Sequence, residues 1–231
     1  MVVRQTLLLT VILGCFLIPS YPSAQDVSGE DPFIAVVLKV TPPVQVRRSD
    51  KEEFTPLSRD DRLYPGDRIV SAENGYASLL FADSAVELKL YPNSDLTLQG
   101  KRSNTSIIKR IFLPIGRLLS KVHRGDMEVV TPTSVASVKG TEWWTLVESS
   151  TLTRIIVIVG EVEVEHRTTG EKTMVSAGNT AVTTPAGELD VTPSEETEVP
   201  EESGEPDNGS LDIEFEDGSG QTKTLHIEFE R

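Results

Sequence analysis

Between Phe33 and about Thr184 the chain is written in short segments whose apolar residues recur at every second position. In Ala85–Tyr91, Val86, Leu88 and Leu90 alternate with Glu87 and Lys89. A β-strand sends successive side chains to opposite faces, so this period buries one face and leaves the other to water. Val36–Val40, Val44–Val46, Ala77–Phe81 and Leu96–Gln99 are also short and rich in branched or aromatic residues. Gly, Pro, Asn and Asp separate them. A helical stripe is nowhere convincing. Ile111–Val122 comes nearest, and Pro114 and Gly116 argue against a helix there. The expected fold class is all-β: an elongated β-roll or an irregular β-helix-like sandwich.

Three stretches echo one another: Leu63–Val70, Val122–Val129 and Val175–Val182. Each has an apolar residue, two residues, Gly, then Asp or Asn, two more, and Val. The pair suits a turn needing positive φ, and the Val opens the next strand. Ala77-Ser78 and Ala136-Ser137 extend the match between the first two copies. Either successive coils repeat, or turn chemistry recurs by itself. Ile155–Val159 is a continuous apolar run, expected where both faces are covered. Trp143 and Trp144 are adjacent in a strand-like segment, so their rings point to opposite faces.

The first 24 residues read as a signal peptide, with Arg4 ahead of the apolar run Leu7–Ile18. Ile12–Cys15 loosely fits a lipid-attachment box, and an uncleaved anchor is a third reading. Membrane association is expected only if Cys15 is lipidated or this segment is retained. Cys15 is the single cysteine, so a mature chain lacks disulfides and thiolate ligands. The expected domains are a signal peptide over 1–24, a leader over 25–32, a β-domain over 33–186, an acidic disordered linker over 187–210 and a terminal hairpin over 211–231. Expected localisation is periplasmic or secreted.

The formal charge of −14 is unevenly spread. Residues 185–231 hold 15 acidic and two basic side chains, whereas 25–184 hold 21 and 19. The charge belongs to the tail, and nucleic acid is an unsuitable partner. The tail is too poor in large apolar residues to offset its ordering entropy. Beyond it, Leu211, Ile213 and Phe215, then Leu225, Ile227 and Phe229, alternate around Asp217-Gly218-Ser219-Gly220, as a hairpin would. A lone hairpin is marginal in water, so it is expected to dock on the body or on another protein by strand addition.

Val130–Val147, followed by Ile158–His166, resembles the signature of FecR-domain proteins: Thr-Pro, a Gly-Thr-x-aromatic strand, then Gly before a Val-x-Val strand. Leu63–Leu98 resembles the same family's Gly-Asp turn and its Phe-x-Asp-Gly-Ser junction, although Ser84 stands where glycine is usual. The resemblance spans roughly 33–186. It implies structural roles for Gly66, Asp67, Asp83, Ser84, Thr131, Pro132, Gly140, Thr141, Trp143 and Gly160, with Trp143 in the core. Well-known members are envelope regulators with a cytoplasmic anti-sigma segment, one membrane span and a β-domain that contacts an outer-membrane receptor. Only the β-domain has a counterpart here.

If Trp143 is core, Thr145 and Val147 share its face, while Trp144 and Leu146 lie on the other among Glu142 and Glu148. Trp144 with Leu146 then contacts a partner or glycan, or is covered by a second sheet or the hairpin. From Lys101 to Arg124 there is no acid, and Lys109, Arg110, Arg117, Lys121 and Arg124 form a candidate basic strip. It suits an anionic envelope polymer, the chain's own acidic tail, or plain solvation. Isolated His123, His166 and His226 have no metal-ligand spacing, and no catalytic motif is found. Neither cofactor nor metal is expected. The expected function is a non-enzymatic envelope module recognising a protein partner, with cell-wall glycan binding as the alternative.

Overall fold

The computed structural model describes residues 33–102, 107–149 and 151–200, together with the backbone of 210–216 and 222–228. The expectations for the signal peptide, the leader, Cys15 and the 201–209 part of the linker lie outside the described residues.

The chain is all-β, as its period-two patterning requires. The first half contains β1 (Ala35–Thr41), β2 (Val44–Arg47), β3 (Phe54–Pro56), β4 (Arg62–Leu63), β5 (Arg68–Ser71), β6 (Tyr76–Phe81), β7 (Val86–Leu90), β8 (Ser94–Leu98) and β9 (Lys101–Arg102). A long strand, β10 (Ile107–Val122), stands at the middle. There follow β11 (Asp126–Val130), β12 (Ser134–Lys139), β13 (Glu142–Ser149), β14 (Leu152–Val159), β15 (Glu161–His166), β16 (Lys172–Ser176), β17 (Asn179–Thr183) and β18 (Leu189–Pro193). These 18 strands form one continuous sheet. The terminal hairpin, β19 (Ser210–Glu216) with β20 (Thr222–Glu228), is a separate pair, placing Leu211 opposite Ile227 and Ile213 opposite Leu225.

The continuous sheet folds on itself into two layers. Sheet I runs β4-β1-β6-β7-β10-β13-β14-β17-β18. Sheet II runs β3-β2-β5-β8-β10-β11-β12-β15-β16. Neighbours are antiparallel except β10 and β11, which are parallel.

Strand β10 belongs to both layers: Lys109–Ile115 pairs in sheet II and Gly116–Val122 in sheet I. Pro114 and Gly116, which ruled out a helix, mark the crossing. The register with β8 slips between Phe112 and Ile115, an irregularity where a residue without an N–H fits. Gly116 has φ +109, and a Cβ there would meet the Ser94 Cα at 2.4 Å. Only glycine lets the two backbones approach this closely. After β10 the chain steps between layers in pairs: β11-β12 in sheet II, β13-β14 in sheet I, β15-β16 in sheet II, β17-β18 in sheet I.

The facing sides enclose one apolar core drawn from both layers, including Val37, Leu79, Leu88, Trp143 and Ile155 of sheet I and Val46, Ile69, Leu96, Ala136 and Val164 of sheet II. Two expectations need correction. Strand β18 pairs along β17 within the stretch expected to be disordered linker. An edge strand is held by backbone hydrogen bonds, so its acidic, apolar-poor composition does not prevent pairing. The run Ile155–Val159 is covered on both faces only to Val157, since Ile158 and Val159 are exposed at the strand end.

Candidate functional site

The residues implicated by the family resemblance build turns and crossings. Asp67, buried behind Gly66 (φ +88), accepts hydrogen bonds from Tyr64 N at 2.9 Å and Ser49 N at 3.3 Å, and from the Arg48 guanidinium at 2.7 Å. These bonds fix the turn into β5. The Gly-Asp echo is therefore turn chemistry: Gly125 and Gly178 also have positive φ, at +79 and +80. It is not a coil repeat, because Ala77-Ser78 lies in sheet I and Ala136-Ser137 in sheet II.

Asp83 Oδ1 accepts from Ala85 N at 3.1 Å, and Oδ2 pairs with Lys109 Nζ at 2.6 Å. Ser84 between them has φ 54, the left-handed region, which explains why glycine suits that place. At the other end of the domain the motif pieces converge. Thr141 Oγ1 donates to Glu161 O at 2.9 Å, and a Cβ on Gly160 would lie 3.1 Å from both Gly140 O and Thr141 Oγ1. The Gly140-Thr141 and Gly160-Glu161 steps are thus the adjacent places where the chain passes between layers.

Thr131 enters a buried hydroxyl network, with Pro132 at its edge. Thr133 Oγ1 lies 2.7 Å from Thr153 Oγ1 and 2.8 Å from Thr183 Oγ1, and Thr153 Oγ1 donates to Thr131 Oγ1 at 3.1 Å. Arg167 Nη1 covers its edge, donating to Thr131 O at 2.9 Å and Pro132 O at 3.3 Å. Buried His166 is locked beside it. Its Nδ1 accepts from Thr168 N and Thr169 N at 3.2 Å, so Nε2 carries the proton and donates to Thr184 O at 2.6 Å. Such a satisfied network fixes a unique packing.

The basic strip does not form one surface, because β10 changes layer and its side chains alternate. Lys109 is 6% exposed and bound to Asp83. Arg110 pairs with Glu128 at 2.6 Å on the outer side of sheet II. Arg117 and Lys121 lie on the outer side of sheet I, the first 5.7 Å from the Tyr91 ring centroid, the second 3.0 Å from Glu142. Arg124 donates to Asp83 O at 2.9 Å.

The tryptophans divide as parity requires. Trp143 sits in the core, its Nε1 donating to Thr145 Oγ1 at 3.0 Å. Trp144 points outward from sheet I, yet it is only 2% exposed, and Leu146 only 7%. Of the two readings of the Trp144–Leu146 face, an exposed contact or a covered one, this burial matches the covered one. Trp144 and Leu146 belong to a second apolar cluster with Tyr76, Tyr91, Leu119 and Ile156. Tyr91 stands 4.7 Å from Trp144 and 5.5 Å from Tyr76, ring centroid to centroid. Val199 packs on the cluster from the segment after β18. That segment starts with Ser194, whose N donates to Gly178 O at 2.9 Å and whose Oγ meets Thr180 Oγ1 at 2.8 Å. It makes one 3-10 turn at Glu196–Glu198 before reaching Val199. The only sequence signal for this cover was one valine in an acidic run.

The outer side of sheet II carries ion pairs. Arg68 grips Asp95, with Nε 2.8 Å from Oδ1 and a second close contact to Oδ2, which holds the guanidinium above its ordinary pKa. Lys172 bridges Glu165 at 3.0 Å and Glu163 at 3.1 Å; hydrogen bonds first to Glu165 and then to Glu163 raise its pKa. Among the described residues no group of three or more His, Cys, Asp or Glu could hold a metal ion. No helix among them is long and apolar enough to cross a membrane.

Residues 67–163 match the family described as FecR protein. The chain is also similar to solved structures of a "putative anti-sigma factor" from Parabacteroides distasonis ATCC 8503, at 1.65 and 2.50 Å resolution. Each shows 15% identity and a TM-score of 0.47, covering 55% of this chain and 59% of the other. No curated protein sequence matches the chain.

Proposed function

We propose that this chain, which carries a FecR domain at residues 67–163, is a non-enzymatic, signalling-related module of the bacterial envelope that recognises a protein partner. The single observation behind this reading is the FecR match, whose motif residues serve turns and layer crossings. What the domain offers a partner is therefore surface. Strand β16 closes one border of sheet II and pairs, among the described residues, with β15 alone. It exposes Met174 between Lys172 and Ser176. An open strand with one apolar anchor suits recognition by strand addition. The N-terminal segment 1–24 reads as an export signal, consistent with a periplasmic or secreted location.

The test is capture of envelope proteins by the parent protein and by Met174→Glu, with thermal melting recorded for both. Retention of a specific protein by the parent and its loss in the variant, at unchanged melting temperature, supports the reading. Equal retention by both, or none by the parent, defeats it. Cell-wall glycan is the competing ligand; its premise, an exposed Trp144 beside a continuous basic strip, lacks support in this geometry.

A further inference from the structure

We infer that the free edge of β18 is the docking site of this chain's own terminal hairpin, with β19 adding beside Leu189–Pro193 and carrying sheet I two strands further. The core row of sheet I runs out into water at this edge. Ile155, Ala181 and Val191 stand opposite one another on β14, β17 and β18. The first two are fully buried, whereas Val191 is 40% exposed. Leu189 is half-buried against the core, and every later residue of β18 is exposed. Among the described residues β18 pairs with β17 alone.

The backbone is open at the same edge. Thr184 N donates to Glu188 O at 3.2 Å, and Ser194 N donates to Gly178 O at 2.9 Å. Antiparallel bonding alternates along a strand, so Leu189, Val191 and Pro193 turn their backbone groups away from β17. The N–H groups of Leu189 and Val191 and the carbonyls of all three face outward. Pro193 has no N–H, which ends the ladder there.

The hairpin supplies a matching strand. Its register places Leu211 opposite Ile227, Ile213 opposite Leu225 and Phe215 opposite Lys223, so these residues share one face. Asp212, Glu214 and Glu216 share the other with His226 and Thr224. One apolar and one polar face suit a strand with core on one side and water on the other. Leu211, Ile213 and Phe215 recur at the spacing of Leu189, Val191 and Pro193. Strand β19 takes the inner place because β20 brings Lys223 to the apolar face. A two-stranded pair is marginal by itself in water, and joining sheet I removes that weakness.

The connection is long enough. Val199 rests on the cluster around Trp144 of β13. Four strand spacings lead from β13 through β14, β17 and β18 to an added strand, about 19 Å at ~4.8 Å each. The ten residues 200–209 reach at most about 36 Å when extended. Such a tether holds the hairpin near β18 at high effective concentration. The border at β16 fits less well: its core-facing Val175 is already fully buried, and its exposed Met174 points outward. This inference is therefore independent of partner recognition at β16.

Amide hydrogen exchange of the full chain, read residue by residue by NMR, tests this. The Leu189 and Val191 amides should exchange about tenfold more slowly, or slower still, in the parent than in Ile213→Asp, while the Ile155 amide reports an unchanged body. Equal rates at Leu189 and Val191 in the two chains would overturn the inference outright. Protection lost in the variant at Met174 instead would overturn it by moving the hairpin to β16. Unchanged rates on severalfold dilution of the parent support docking within one chain; rates that rise on dilution would overturn it in favour of a second copy. The parent alone gives a second readout, which does not depend on how the variant folds: nuclear Overhauser contacts from the Val191 methyls to Leu211, Ile213 or Phe215. Their absence would also overturn it.

Discussion

The outer sides of the two layers come from the same alternating pattern and have opposite fates. On sheet II the outward positions Arg68, Asp95, Arg110, Glu128, Glu163 and Lys172 neutralise one another in pairs at the water boundary. On sheet I the corresponding positions carry Tyr76, Leu119, Trp144 and Ile156, and Val199, from the segment after β18, packs against their cluster. Period two therefore decides which residues share a face; the chemistry of those residues decides whether that face needs a cover.

The sharpest challenge to this contrast is Trp144→Ala. If the outer side of sheet I is a second core, equilibrium unfolding by denaturant should show a loss of about 3–5 kcal/mol. A loss below about 1 kcal/mol would place Trp144 with ordinary surface residues and erase the contrast. Val199→Asp attacks the cover itself. It should cost about 1–2 kcal/mol and raise binding of a hydrophobic dye, as the aromatic cluster meets water. A variant that touches neither face calibrates the scale: Ser84→Gly should stabilise by about 0.5–1 kcal/mol, because glycine adopts the left-handed turn without strain. On sheet II, Glu163→Ala should change stability by no more than about 0.5 kcal/mol in the same assay.

The smallest effect concerns Lys172. Its pKa is raised in the folded chain by Glu165 and Glu163, so its contribution is complete below the unfolded value near 10.5 and fades as pH climbs through the higher folded value. Melting curves of the parent and Lys172→Met should differ least in alkali above that range. A difference confined to acidic pH would contradict the assignment.

Much of this was legible in the sequence. The alternation in Val86–Leu90 and the opposed rings of Trp143 and Trp144 follow from strand geometry, and the structure keeps both. The Gly-Asp turns were equally readable, because positive φ selects glycine locally. The candidate binding residues were not. Lys109, Arg110 and Arg117 look like one strip until β10 crosses between layers at Gly116 and sends them to different environments. Trp144 looks like an exposed contact until Val199, 55 positions along, packs against its cluster.

What the sequence determined by itself was periodic and local: strand segments, their turns, and the set of residues sharing each face. Sterics and side-chain alternation act between neighbours in the chain, so no knowledge of the fold was needed. Which faces became core, where β10 changed layer, and that an acidic, valine-poor segment would cover an aromatic cluster were settled only in three dimensions. Those outcomes depend on contacts between residues far apart in the chain, and burial is a property of the assembled sheets rather than of any one segment.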